Sequence, residues 1–154
     1  MQTWLRNGLI FGGAAAITTA VMNGLSAVSR PANICQPNTP LFSALGLLLF
    51  LALVAVAGWR TTREGEAVSS AALTGVVVGA ISGVLVFVVV LISLGNAEQA
   101  AGCLPSGRSS PAEAARVLRF AAVVFGFVLA LLGIGVGAGV AALGGLVGQR
   151  RQPA

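Results

Sequence analysis

Hydrophobic positions along the 154-residue chain gather into four long runs, at about 8–28, 41–58, 71–94 and 118–147. An α-helix rises ~1.5 Å per residue, so about 20 apolar residues cross the ~30 Å hydrocarbon layer of a bilayer. Each run is about that long or longer. The first three hold no charge, and the fourth holds only Arg119, at its entrance. The alternating pattern of a membrane β-barrel is absent. The pattern predicts an all-α integral membrane bundle: one domain, four transmembrane helices, both termini on the same side. Arg6 and the Ala27-Val28-Ser29 stretch give the first run the outline of a secretory signal peptide. Its apolar core is long for one, and it is read as a retained helix.

Polar punctuation separates the runs. SRPANICQPNTP (29–40) carries three prolines and predicts an irregular loop. WRTTREGEAVSS (59–70) predicts a short charged link. GNAEQAAGCLPSGRSS (95–110) is the longest connection. Ser110, Pro111 and Glu113 have the spacing of a helix start with a capping box, so the fourth helix is expected to begin near 111. Glu113, Arg116 and Arg119 then fall at three-residue spacing, at headgroup depth, with the two arginines reaching toward water.

Composition agrees with the pattern. Hydrophobic residues make up 56% of the chain and charged residues 8%, against about 25% charged in soluble domains. The charges comprise nine arginines and four glutamates, with no Lys, Asp or His. The formal +5 does not point to nucleic acid, because the arginines are scattered singly at the ends of apolar runs. The side with the termini holds Arg6, Arg60, Arg63, Arg150 and Arg151, and the other Arg30, Arg108, Arg116 and Arg119. By the positive-inside rule this margin favours cytoplasmic termini in a bacterial-type plasma membrane. Trp4, Trp59, Arg116 and Arg119 are the expected interface anchors. Cys35 and Cys103 fall in the first and third loops, on the side opposite the termini. If that side is extracytoplasmic, they are expected to pair as a disulfide.

Glycine is the remaining signal. GIGVGAGVAALGGLVG (133–148) has seven glycines in sixteen positions. A phosphate-binding loop would need a lysine and a position outside the membrane, and the stretch has neither. It is similar to the glycine-repeat helix of the proteolipid c subunits of rotary proton ATPases. That resemblance implies a mid-membrane carboxylate that takes up and releases an ion. Here Glu64, Glu66, Glu98 and Glu113 all lie in loops or at a helix entrance, so the functional group is missing and the assignment is not carried over. Close helix packing is the expected use, as a glycine zipper. Gly8, Gly12, Ala16, Ala20 and Gly24 recur every four residues. So do Ala71, Gly75, Gly79 and Gly83, and again Gly133, Gly137, Ala141 and Gly145. Gly135 and Gly139 lie on a neighbouring face of the fourth run. The second run has no such ladder, and its LLLFLALV stretch (47–54) is expected to face lipid. The first, third and fourth helices are then expected to form the tight core. Thr18, Thr19, Asn23, Thr74, Ser82 and Ser93 are among the few polar residues within the runs. Thr and Ser are expected to bond their own helix carbonyls, and Asn23 to bond across helices.

No nucleophile–base pair, metal-ligand cluster or cofactor fingerprint is present in the sequence. The expected catalytic, cofactor and metal residues are therefore none, and the chain is read as a non-enzyme. Its expected partners are the lipid bilayer and other membrane subunits or copies of itself. The leading functional expectation is an accessory or structural subunit of a larger membrane complex. The alternative is a small homo-oligomeric transporter or channel for a neutral or apolar solute, and a third reading is a lipid- or pigment-contacting scaffold.

Overall fold

In the computed structural model, residues 2–28, 40–93 and 111–150 are described, and all structural statements concern these. They form four helices: α1 (Thr3–Val28), α2 (Pro40–Arg63), α3 (Val68–Ser93) and α4 (Pro111–Gln149). All four are long and apolar enough to cross a membrane. α2 and α4 each open on a proline, which suits a first helical position because its missing N–H would have no partner there. The expected start of α4 near 111 matches; the cap assigned to Ser110 lies outside the described residues.

The helices outrun the apolar stretches that revealed them. α1 begins at Thr3 rather than Gly8, α2 ends at Arg63 rather than Gly58, and α3 starts at Val68 rather than Ala71. Most of the link expected at 59–70 is therefore helical. α2 stops where its cap is, not where its first charge is. The Gly65 N–H donates to the Thr62 carbonyl at 3.1 Å and the Glu66 N–H to Thr61 at 3.4 Å. That pair of bonds is a Schellman cap, which needs a left-handed residue, and Gly65 supplies it with φ 90°.

Contacts between the ends of the helices fix their directions. α1 runs antiparallel to α2, with Asn7 against Thr61 and Gly46 against Met22. It runs parallel to α3, with Gly8 against Val77 and Gly12 against Ile81. α4 runs antiparallel to α3 and parallel to α2. Against α3, Gly75 meets Gly137 and Ala141, Gly79 meets Gly133, Gly83 meets Ala130, and Gly126 meets Phe87 and Val90. Against α2, Gly58 meets Ala141, Gly144 meets Ala55, and Gly148 meets Thr62 and Trp59. Gly145 sits where three helices join, touching Ala71 of α3 and Thr62 of α2. α1 makes extended contact with α2 and α3 but none with α4.

This corrects the expected core. α2 is central: Val54 and Ala57 are fully buried and join Ala15, Val78 and Ala141 in the apolar centre. Within LLLFLALV, Leu47, Leu48 and Leu49 are exposed, whereas Val54 is buried inside the bundle and cannot face lipid as expected of it. The sequence hid the packing face of α2 because it uses Ala55, Gly58 and Thr62, which form no four-residue glycine ladder.

A backbone approach of this kind is intolerant of volume. A Cβ on Gly79 would lie 2.6 Å from the Gly133 carbonyl oxygen and 2.8 Å from the Ile134 Cα. Gly79→Leu is expected to destabilise the bundle by about 1–3 kcal/mol or more through overpacking, read as a lower melting temperature in detergent. Gly135 has open space around it, so Gly135→Ala is expected to leave stability unchanged or raise it by up to about 1 kcal/mol, the helix-propensity gain.

Candidate functional site

The ends of α1, α2 and α3 meet around polar side chains, of which Thr74 lies within an apolar run and Asn7, Thr61 and Thr62 just beyond the runs. Asn7, Thr61, Thr62 and Thr74 are each at most 1% exposed. The Asn7 amide nitrogen donates to Thr61 Oγ1 at 3.3 Å and to Glu64 Oε2 at 3.0 Å. Thr61 Oγ1 and Thr74 Oγ1 share a bond of 3.1 Å. The Thr74 hydroxyl lies 3.2 Å from the Trp4 carbonyl and 3.0 Å from that of Ser70. One knot thus joins α1, α2 and α3, and its hydrogen bonds offset the cost of taking these polar groups out of water.

Glu64, first residue of the α2–α3 turn, closes the knot from outside. Arg6 of α1 pairs with its Oε2 at 3.2 Å, and Arg60 of α2 with its Oε1 at 3.1 Å. Partial burial pushes its carboxyl upward, but the hydrogen bonds from Asn7 and Arg60 and the charges of Arg6 and Arg60 outweigh that and hold it below the usual carboxylate range. A carboxylate so placed is a weak base and a good clamp. Among the described residues, the buried Asn7 Oδ1 and Ser82 Oγ have no hydrogen-bond partner.

The residues singled out in the sequence fall into three groups. Ala71, Gly75, Gly79, Gly83, Gly133, Gly137, Ala141 and Gly145 lie along the seams of α4 with α3 and α2. On α1, Gly8 and Gly12 face α3, Ala16 is half-buried, and Ala20 and Gly24 are exposed. A four-residue row drifts around a helix by ~40° per step, and four steps carry it from the seam to the outer face. Gly135 and Gly139 have no neighbour within 4 Å. Trp4 and Trp59 are half-buried, and Arg116 and Arg119 exposed near the start of α4. Cys35 and Cys103 lie outside the described residues.

Thr18 and Thr19 donate to Ala14 and Ala15 carbonyls on their own helix. Asn23 does the same, to Thr19 at 2.8 Å, which corrects the interhelical bond expected of it. The amide that does bond across helices is Asn7. Sequence reasoning missed it, with Thr61 and Thr62, because all three lie just beyond the apolar runs. Among the described residues no group of three His, Cys, Asp or Glu side chains could hold a metal ion. No protein-family model, curated protein or solved structure matches the chain.

The knot makes two predictions. Asn7→Ala removes the donor that Thr61 and Glu64 share and is expected to cost about 1–3 kcal/mol in detergent stability. Because the folded Glu64 carboxyl titrates below a free one, its contribution is full above the ordinary carboxylate range and fades as pH falls through the folded value. The melting-temperature difference between the natural protein and Glu64→Gln should therefore be largest at neutral pH and shrink in acid.

Proposed function

We propose that the protein is an integral membrane subunit without catalytic activity that packs into a larger membrane complex through the outer face of α4. The observation that carries this reading is the distribution of small residues on that helix. One stripe, from Gly126 to Gly148, serves the contacts with α2 and α3. A second pair, Gly135 and Gly139, faces open space between the exposed Leu131, Leu132, Val136 and Leu143. Lipid tails make no use of a smooth glycine row, whereas a neighbouring helix does. The reading places the termini in the cytoplasm and pairs Cys35 with Cys103 on the opposite side.

The homo-oligomeric transporter is the weaker alternative. Along the bundle axis the polar knot is followed by Ala15, Val54 and Val78, and a conduction path favours a continuous polar line.

Extraction in mild detergent followed by native mass measurement tests the proposal. Co-migration with different membrane subunits is expected, lost in Gly135→Leu/Gly139→Leu while the melting temperature of the isolated chain is kept. A ring of identical copies, or a lone chain under the mildest extraction, would contradict it.

A further inference from the structure

The end of the bundle that carries the knot also carries cations the knot does not use. Arg6 and Arg60 are both engaged by Glu64. Arg63, one helical turn beyond Trp59, instead lies over the indole, with its guanidinium carbon 4.6 Å from the ring centroid. α4 ends against the same indole. A Cβ on Gly148 would be 2.9 Å from the Trp59 carbonyl oxygen and 3.3 Å from its Cδ1. Glycine there lets the end of α4 close on Trp59, and the helical bond from the Arg150 N–H to Leu146, at 3.3 Å, carries the last turn through to Arg150. Arg63 and Arg150 are exposed. Among the described residues no carboxylate lies within ion-pair distance of either.

A guanidinium stacked on an aromatic face keeps its N–H edge open to an oxyanion, and it is held in place at little further entropic cost. An indole at the end of an apolar helix belongs at headgroup depth. The anion found at that depth is the phosphodiester of a phospholipid. We propose that Trp59, Arg63 and Arg150 form a docking site for the phosphate of an anionic phospholipid. The site selects anionic over zwitterionic lipid because a choline headgroup brings its own cation toward two guanidiniums. The inference rests on the membrane reading and is independent of the subunit role assigned to the outer face of α4.

The test uses Trp59 fluorescence in the full chain, in a Trp4→Phe background, reconstituted with lipids brominated on the acyl chain. Brominated phosphatidylglycerol should quench Trp59 more than brominated phosphatidylcholine at equal mole fraction, reflecting a local enrichment of roughly five-fold for each arginine engaged. Arg150→Gln, beyond the end of α4, should reduce the excess, and Arg63→Gln/Arg150→Gln should abolish it. Arg116→Gln, near the start of α4, should leave it intact. Equal quenching by the two lipids, or an excess that survives the double variant, overturns the site. Absence of quenching by either lipid overturns the membrane reading with it.

Discussion

In a bilayer, the setting proposed for these four helices, lipid tails would solvate an apolar helix about as well as another apolar helix does, so burial of hydrophobic surface would not hold them together. What remains is dispersion, which falls steeply with distance, together with the few polar bonds that lipid cannot replace. Both require close approach. The chain meets this by stripping side chains from the contact lines. Gly58 rests on the carbonyl of Ala141, Gly75 on that of Gly137, and Gly144 on that of Ala55. At such separations backbone meets backbone, and weak Cα–H···O contacts add to dispersion. The glycines that would weaken a helix in water are here the condition for helices to associate.

The close contacts and the polar knot share one half of the bundle. Buried residues of α1 lie between Asn7 and Ala15, those of α2 between Val54 and Thr62, and those of α3 between Ala71 and Gly83. Because α1 and α3 start where α2 and α4 finish, these segments are neighbours in space. The knot adds direction to an attraction that has little of its own. Small apolar rows slide past one another at low cost, whereas Asn7 can satisfy Thr61 and Glu64 in a single register. Toward the other end Val84, Val88 and Ile92 of α3 and Leu45, Leu47 and Leu48 of α2 are exposed, as a lipid-facing surface is.

The number and class of helices could be read from the chain because a span is a length of uninterrupted apolar residues, and that signal needs no partner. The rows from Ala71 to Gly83 and from Gly133 to Gly145 could be read for a related reason: both sit on one face of their own helix. The role of α2 could not. Its contact line of Ala55, Gly58 and Thr62 is recognisable only once α4 is seen running parallel beside it. The knot was hidden for another reason. Asn7, Thr61 and Glu64 lie where hydropathy falls, and hydropathy marks where a helix leaves the hydrocarbon, not where it ends. Gly65 was the better marker for the end of α2.

The central claim is that backbone contact across the α3–α4 seam holds the bundle. Gly75 and Gly137 face one another there, each lying against the other's carbonyl. A double-mutant cycle of Gly75→Ala and Gly137→Ala, read as unfolding free energy in detergent, tests the claim most directly. Either methyl alone should force the helices apart and destabilise the protein. The second should then cost far less, giving a coupling of about 0.5–3 kcal/mol. Silent single variants, or two costs that simply add, would contradict the account.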